Sequence, residues 1–431
     1  MGLGQMISTG GYRVFGAAAL TLVLGTSANA QTTPKVLSTA ASDLGVLERE
    51  RPAYDPKGIP LGGFRLFPSL GVVGSYDDNV FRLPSAVSDW FMTLSPAVAV
   101  QSQWGRHFLE LSAHADTYKY SNYDSQDLTD WDVKGRGRYD ISHAATLVAS
   151  ASYGRYHELW SSPDSQYGQT EPNRFNQIHA STALSYQPSS LGFSIGGTFD
   201  RYDWSDTPLP GGGLLVNGDR NEDKLEGYVR VFYEFSPGYA AFVRATFNDR
   251  QFDLREDRSG LNRASHGYRY DGGMTLAISH LLRGEFYAGY LKQDFALNDF
   301  QKLPNISGFD YGLQLDWFAT PLLTVHLAGN RQLSDTTFAG ISTEDAKRVD
   351  LSADYEILRN LIATARGSVI ATKYTGSPLS DTSYGAGLKL EYLVNRYAAV
   401  RFEYGYERRT SNRVLGDYSD NTVSIGLTLH V

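Results

Sequence analysis

The sequence has no cysteine among its 431 residues, so it leaves no thiol to misoxidise in an oxidising compartment. It also lacks a basic surplus, because 39 basic and 47 acidic residues give a net charge of −8. A nucleic-acid-binding protein would be expected to show the opposite balance. Long apolar runs are missing too, since Phe15–Gly25 is far short of the roughly 20 residues that a spanning helix needs. These absences exclude a helical membrane domain and argue against a nucleic-acid partner.

Motifs for catalysis and for cofactor binding are also missing. The run Gly211–Gly213 lacks the Lys-Ser/Thr ending and the strand-to-helix setting of a phosphate-binding loop. The nine histidines show no metal-ligand spacing, and Asp116 with His114 has no nucleophile motif beside it. The acidic run Asp219–Asp223 could bind calcium, but its spacing matches no calcium loop, so a solvated loop is favoured. We therefore predict no enzyme, no cofactor and no metal site.

The segment Phe15–Gly25 fits the apolar core of a secretory signal peptide. Arg13 supplies the positive charge, and Ala28–Ala30 has the small residues of a cleavage site. We predict a signal peptide over residues 1–30, cut after Ala30, in preference to a membrane anchor helix. Residues 31–63 follow with several prolines and little periodicity, which predicts a periplasmic lead-in that is either flexible or plug-like.

From Leu66 onward, apolar and polar residues alternate with the period of a β-strand. In Tyr384–Tyr392 and Val400–Tyr406 the polar face carries charges, which cannot form the dry core of a soluble sandwich. In a membrane, an open sheet edge would leave backbone groups unpaired, so strands can cross only as a closed barrel. The alternation predicts an all-β, transmembrane, antiparallel up-and-down barrel over residues 64–431.

The connections between the predicted strands alternate between tight and long, which is typical of outer-membrane barrels with short periplasmic turns and long extracellular loops. Eight tight turns imply eighteen strands, and sixteen is the alternative count. We expect the last strand, Asn421–Val431, to pair with Val400–Tyr406 on one side and with Leu66–Tyr76 on the other. The tight turns are predicted near Gly105-Arg106, Ser142-His143, Pro188-Ser189, Pro237-Gly238, Leu282-Arg283, Thr320-Pro321, Arg359-Asn360 and Asn395-Arg396. The long loops are predicted at Leu159–Phe175, Thr207–Lys224, Leu254–Ser265, Ala296–Ile306 and Arg409–Ser419.

Strand parity predicts that many charged side chains face the barrel interior. A barrel of 16 to 18 strands leaves an aqueous channel, so these side chains can line a pore, and they can also pair across strands. Both interpretations stay open at this point. The residues predicted to line the pore are Lys134, Arg136, Arg138, Arg230, Arg244, Arg366, Lys389, Arg401, Asp116, Asp132, Glu226, Glu234, Asp350, Asp354, Glu391 and Glu403. Tyr118, Tyr228 and Tyr287 also face inward by parity, but they are too few to establish a path for sugars.

Several turn and strand-edge motifs carry a resemblance to a known family. They are Leu61–Leu70, Tyr76–Arg82, Ser95-Pro96, Trp104–His107, Pro237–Tyr239, Leu282–Glu285, Thr320–Leu322 and Leu358–Leu361. In these motifs the chain resembles the putative β-barrel porin 2 family of proteobacterial outer-membrane proteins, over about residues 60–431. The resemblance implies an outer-membrane barrel of a kind often encoded beside exopolysaccharide or capsule genes. The link to polysaccharide export comes from this resemblance and not from the residues themselves.

We expect a porin-like channel for polar solutes in the outer membrane of a Gram-negative bacterium. The alternatives are an accessory component of exopolysaccharide or capsule export, a structural or surface-binding barrel with a closed pore, and a soluble periplasmic carbohydrate-binding β protein. The expected partners are outer-membrane lipids, lipopolysaccharide and the outer-membrane assembly machinery, and the candidate cargo is a polysaccharide or small polar solutes. The sequence leaves the oligomeric state open.

Overall fold

The computed structural model describes residues 44–165, 169–278, 281–297 and 302–431. The predicted signal peptide and the start of the lead-in lie outside these residues. Eighteen long strands form one antiparallel sheet, to which the short strand Ile59–Leu61 is added. The strands are β1 (Phe64–Asp77), β2 (Asp89–Ser102), β3 (Phe108–Tyr120), β4 (Leu128–Asp140), β5 (Ala145–His157), β6 (Arg174–Tyr186), β7 (Leu191–Trp204), β8 (Glu222–Ser236), β9 (Tyr239–Phe252), β10 (Ser265–Ile278), β11 (Leu282–Phe295), β12 (Ile306–Thr320), β13 (Leu323–Ser334), β14 (Glu344–Leu358), β15 (Leu361–Tyr374), β16 (Ser380–Asn395), β17 (Ala398–Ser411) and β18 (Tyr418–His430).

The sheet closes on itself through its last strand. β18 pairs with β17 along one edge, where Ala398 lies opposite Leu429. Along the other edge it pairs with β1, from Ser69 opposite His430 to Asp77 opposite Thr422. Closure satisfies the backbone groups that an open edge would leave unpaired in hydrocarbon. The predicted closed barrel is confirmed, and the strand number is eighteen and not the alternative sixteen.

The outer surface of the barrel carries the apolar side chains of the alternating strands. In β18, for example, Val423, Ile425 and Leu427 are all exposed, while Ser424 between them is buried inside. Exposed aromatic residues occur toward both ends of the strands, as in the interfacial girdles of membrane barrels. These aromatic residues include Trp90, Tyr139, Tyr186, Tyr270, Phe309, Trp317, Tyr355, Tyr384 and Tyr392. Such a surface suits contact with lipid. Within the described ranges, no helix is long and apolar enough to cross a membrane.

One end of the barrel, here called the short-turn rim, contains eight brief connections. At Pro237-Gly238, Gly238 has φ +84°, and an added Cβ would lie 2.4 Å from the Ala277 carbonyl oxygen, so this turn requires glycine. The predicted turn at Leu282-Arg283 is wrong by a few residues. Both residues already belong to β11, because Leu282 pairs with Ile278 and extends the ladder.

The opposite end, here called the long-loop rim, contains the longer connections. The predicted loop Thr207–Lys224 extends too far, because β8 already begins at Glu222. The predicted loop Arg409–Ser419 is also too long, because β17 continues to Ser411. At these strand ends the alternation of apolar and polar residues is lost, so the sequence pattern does not mark the boundary. In the described part of the loops, the shorter elements are two single-turn 3-10 helices, Asp124–Gln126 and Gly218–Arg220, and a small hairpin of Thr207–Pro208 with Leu214–Leu215.

Candidate functional site: the barrel lumen

The inner face of the barrel carries every residue that the sequence predicted to line a pore. These residues alternate with outward-facing ones, as Lys134 follows the exposed Val133 and Arg230 lies between the exposed Val229 and Val231. Because side chains alternate across a strand, these charges face the interior. Their role in lining a conducting pore stays a prediction.

Most of these inward charges form ion pairs with neighbours on the same wall. The Arg136 guanidinium donates to both carboxylate oxygens of Glu110, at 2.7 and 2.8 Å, and Arg244 lies 3.0 Å from Asp271. The other pairs, with their closest N to O distances, are Arg230 and Glu285 at 2.8 Å, Arg269 and Glu226 at 2.7 Å, Arg348 and Asp350 at 2.5 Å, Arg138 and Asp140 at 3.3 Å, His326 and Asp354 at 3.1 Å, His114 with Asp116 at 3.3 Å and with Asp132 at 3.7 Å, and Arg401 and Glu403 at 3.9 Å. Cross-strand pairing therefore accounts for much of the predicted set.

Some partners in these pairs were missed from the sequence. Arg269 and Asp271 lie on β10, next to the outward-facing Tyr270. The same parity argument that found the other inward residues would have found these two. Glu234 differs from the paired residues, since it accepts a hydrogen bond from the Gln187 side-chain amide at 3.1 Å. The inner wall thus carries an extended network of paired polar groups.

Two predicted residues stand apart from this network. Lys134 on β4 and Arg366 on β15 are both exposed although they face inward. Within the described part of the chain, neither makes an ion pair or a hydrogen bond. Lys389 and Glu391, by contrast, do have polar interactions. The lumen therefore has open space next to two cationic side chains at mid-strand positions.

At the long-loop rim, the connection between β5 and β6 folds inward over residues 158–165. The Arg409 guanidinium of β17 donates to the Ser161 carbonyl at 2.9 Å, and Arg413 donates to the Pro163 carbonyl at 3.1 Å. Asp164 accepts hydrogen bonds from Thr336 and Thr337, which follow β13. The loop therefore reaches toward the far side of the barrel mouth and narrows it. The sequence had shown no loop conspicuous enough to assign this role.

Buried charges fix the inner end of this loop. The Glu158 carboxylate accepts two hydrogen bonds from Arg220, at 2.8 and 3.0 Å, and the guanidinium lies 3.4 Å from the centre of the Trp204 ring. Burial acts to raise the pKa of Glu158, but the Arg220 charge and hydrogen bonds hold that pKa below its ordinary value. Burial raises the pKa of the Asp164 carboxyl above its ordinary value. A cavity of about 230 Å³ lies between this loop and the neighbouring wall.

We expect Asp164→Ala to loosen the loop and Asp164→Asn to leave it docked. Alanine removes the acceptor of three hydrogen bonds, which costs about 1–3 kcal/mol when a buried donor such as the Thr337 N–H is left unpaired. Asparagine keeps an acceptor oxygen and stays neutral. Because the folded pKa of Asp164 is raised, the contribution of Asp164 to docking is fully present below the ordinary aspartate pKa and is lost as the pH rises through the raised value. The Glu158 contribution is the same in the wild type and in Asp164→Asn, so the comparison of the two isolates Asp164.

Hydrogen exchange of residues 158–165, corrected for the intrinsic rate at each pH, measures this difference. The wild-type loop should lose protection with rising pH, and the asparagine variant should not. Equal protection in the alanine variant and the wild type would contradict the assignment of Asp164 as an anchor.

A row of aromatic side chains lines the cavity wall beneath the loop. Phe175 on β6 lies at its centre, with ring centroids 5.8 Å from Tyr156, 5.9 Å from Tyr202 and 4.6 Å from Trp204. The sequence had pointed to only three scattered inward tyrosines. Phe175 was missed because it had been assigned to the end of a loop, whereas β6 already begins at Arg174.

At the short-turn rim, residues 44–58 of the lead-in pack against the inner wall. Val46 is completely buried against Ile362, Leu393 and Ala399, which lie on β15, β16 and β17. The Val46 N–H donates to the Thr324 hydroxyl at 3.0 Å. This part of the predicted lead-in thus occupies one side of the barrel mouth.

One buried ion pair anchors this segment. The Arg51 side chain is 0% exposed and lies 2.8 Å from Glu356 of β14, which is 3% exposed. The same guanidinium donates to the Val46, Arg49 and Arg359 carbonyl oxygens. Nearer the surface, Glu48 forms a half-exposed pair with Arg283 at 3.1 Å. Arg51 therefore ties the segment both to itself and to the wall.

The acidic run Asp219–Asp223, weighed above as a calcium site, is compensated by arginines. Asp219 lies 2.7 Å from Arg258, and Asp223 lies 3.4 Å from Arg201. Carboxylates already engaged by guanidinium groups are poor candidates for a shared cation. The interpretation as an ordinary loop therefore remains the better one.

The chain matches a known family over most of its length. The model of the family described as Putative beta-barrel porin 2 matches residues 51–431. The chain belongs to this family. The predicted resemblance is confirmed, and the protein is a porin-like β-barrel. Family and fold support an outer-membrane location and point to a channel protein and not to an enzyme.

Solved structures of Pseudomonas aeruginosa proteins are also similar to this chain, at low sequence identity. OpdK with vanillate is 12% identical, with a TM-score of 0.42, and the match covers 85% of this chain and 99% of that one. OpdL is 12% identical with a TM-score of 0.44, covering 86% and 100%. OccK2 (OpdF) in complex with glucuronate is 12% identical with a TM-score of 0.45, covering 87% and 100%. Comparison with curated protein sequences gives no match.

Proposed function

We propose that this porin-like barrel passes polar solutes across the outer membrane. The observation that carries the proposal is the inner face, where charged side chains such as Lys134 and Arg366 are exposed inside a closed barrel. An unpaired charge in a dry interior would be strongly disfavoured, so the space beside these side chains must hold water. A water-filled lumen through an apolar band is a path for polar solutes.

Liposome swelling tests this proposal directly. Vesicles containing the refolded protein are moved into isotonic solutions of small neutral sugars, and light scattering reports their swelling. We expect swelling for small solutes and slower swelling as solute size increases. Swelling no faster than that of protein-free vesicles, for the smallest solute as well, would contradict solute passage.

A second candidate function, an accessory role in polysaccharide export, is favoured by the aromatic row of Tyr156, Phe175, Tyr202 and Trp204. Aromatic rings present apolar faces on which sugar rings can stack. If this row guides a polymer, Phe175→Ala should reduce the amount of exported polysaccharide while leaving barrel assembly unchanged. Unchanged export in both the Phe175→Ala strain and a full deletion strain would count against this function.

We also propose the route and surroundings of the chain. It is exported in a Gram-negative bacterium by a signal peptide cut after Ala30, is inserted by the outer-membrane assembly machinery and contacts lipopolysaccharide and other outer-membrane lipids. The exposed apolar belt supports the lipid contact. N-terminal sequencing of the membrane-extracted protein tests the cleavage, and a mature chain that begins elsewhere than residue 31 would contradict it.

A further inference from the structure

We propose that Lys134 and Arg366 form an anion-selecting pair at mid-height in the lumen, and that the channel therefore prefers small anions. The class of solute is small carboxylates and inorganic anions. This inference rests on the proposed function, because it requires an open aqueous path. It identifies two residues that determine the sign of the charge on the preferred solute.

The two cations lie at the same level of the barrel. Lys134 lies six residues before Asp140, where β4 reaches the short-turn rim, and Arg366 lies five residues after Leu361, where β15 leaves that rim. Six strands separate β4 from β15 on the shorter side of the ring, namely β16, β17, β18, β1, β2 and β3. The side chains therefore extend from well-separated parts of the wall into one cross-section.

Small neighbours leave room around both side chains. Lys134 lies opposite Ser112 on one side and Ser152 on the other. Arg366 lies opposite Ser352 and Gly387. Cross-strand partners are the closest side chains on one face of a sheet, so a serine or glycine there neither covers nor neutralises the cation. Both side chains are accordingly free to reach the lumen.

Carboxylates close to these cations on the wall have other partners. Asp132, two residues from Lys134 on the inner face of β4, lies 3.7 Å from His114. Asp354, diagonal to Arg366, accepts a hydrogen bond from the Thr364 hydroxyl. Glu110, near Lys134, holds Arg136 through two hydrogen bonds. Asp350, near Arg366, holds Arg348 at 2.5 Å. Engagement of these acids explains how two basic residues can remain unpaired on a wall that also carries many carboxylates.

The unpaired charges of such a lumen determine its local electrostatic potential. The fields of a close ion pair largely cancel within a Debye length, which is about 10 Å at 0.1 M salt. The unpaired ammonium and guanidinium groups keep their fields and raise the local concentration of anions. The overall net charge of −8 does not contradict this preference, because the sum includes loops and outward-facing residues.

The experiment is the reversal potential of the refolded protein in a planar bilayer under a KCl gradient. We expect the wild-type channel to favour chloride. In water, each unit charge about 10 Å from an ion raises the local chloride concentration about twofold and lowers that of potassium about twofold. The double variant Lys134→Gln with Arg366→Gln should therefore lower the chloride-to-potassium permeability ratio by up to about sixteenfold, and by less where salt screens the charges. Lys134→Glu with Arg366→Glu should make the channel favour potassium.

A matched control removes two exposed cations from the outer surface, Lys347→Gln with Lys373→Gln. The net charge then changes by the same amount, and the permeability ratio should stay at the wild-type value. A conducting wild-type channel that prefers potassium, or a conducting lumen double variant with an unchanged ratio, would overturn the inference while leaving the channel function intact. Absence of conductance in every variant would instead overturn the proposed function, and the inference with it.

Discussion

Replacing Glu356 by alanine is expected to free residues 44–58 from the barrel mouth and to increase the conductance. The substitution leaves the fully buried Arg51 guanidinium without its carboxylate. Breaking a buried ion pair by removing one partner costs about 3–5 kcal/mol. This cost acts on a segment whose other anchors include a small apolar cluster around Val46 and the Val46 hydrogen bond to Thr324. The Arg51 hydrogen bond to the Arg359 carbonyl and the half-exposed Glu48–Arg283 pair add to these. The detached form should therefore become populated.

Limited trypsin digestion measures this release, because the segment contains a cleavage site after Arg49, whereas the bond after Arg51 precedes Pro52 and resists trypsin. In the wild type, the docking of the segment should protect the Arg49 site, and in Glu356→Ala cleavage should be faster by about two to four orders of magnitude, since each 1.36 kcal/mol is a factor of ten. Single-channel conductance should increase in parallel.

The matched control is Glu48→Gln, which removes a carboxylate from the same segment. The ion pair of Glu48 with Arg283 is about half exposed, so the segment should lose at most about 1 kcal/mol of docking free energy. Cleavage in this variant should stay close to the wild-type rate. Equal protection of Glu356→Ala and the wild type would show that the buried pair does not anchor the segment.

Arg220→Ala is expected to release the inward-folded loop at the long-loop rim. The variant leaves the buried Glu158 carboxylate with only the Asn173 amide and the Ser162 hydroxyl as donors. It also removes the guanidinium that lies 3.4 Å from the Trp204 ring centre. The expected loss in the free energy of loop docking is again about 3–5 kcal/mol, because a buried charge loses its partner.

Hydrogen exchange of residues 158–165 measures this loss. Exchange should be strongly accelerated in Arg220→Ala, and less so at low pH, because the pKa of Glu158 no longer has the Arg220 charge to hold it down. The control is Arg174→Ala, whose pair with Glu171 is one-third exposed at both side chains and contributes little. If both arginine variants exchanged at the wild-type rate, the loop would be held by something other than the Arg220 pair.

The barrel itself could be predicted because the alternation that specifies it lies within each single strand. Alternation places Val423, Ile425 and Leu427 on the lipid side within one strand, and no knowledge of neighbours is required. Turn residues such as Pro237-Gly238 mark where the strands reverse. The predicted strand ends were less accurate at Glu222 and Ser411, because the alternation of apolar and polar residues is lost there.

Only part of the candidate site could be predicted from the sequence. Parity gave the inward direction of Arg136 and Arg244, but which carboxylate each one meets depends on the register between strands. The contacts of the two constricting segments could not be predicted from the sequence, for a stronger reason. Arg51 meets Glu356 at a separation of 305 residues, and Arg409 meets Ser161 at a separation of 248. Such contacts leave no periodic pattern in either segment.

The central claim is that the closed barrel encloses a continuous aqueous path in spite of the two segments that narrow its ends. Single-channel recording of the refolded protein in planar bilayers tests it most directly. The account predicts discrete conductance steps in the wild type, with larger steps in Glu356→Ala, where one mouth is cleared. Intact barrels that give no conductance steps in either protein, at any applied voltage, would contradict it.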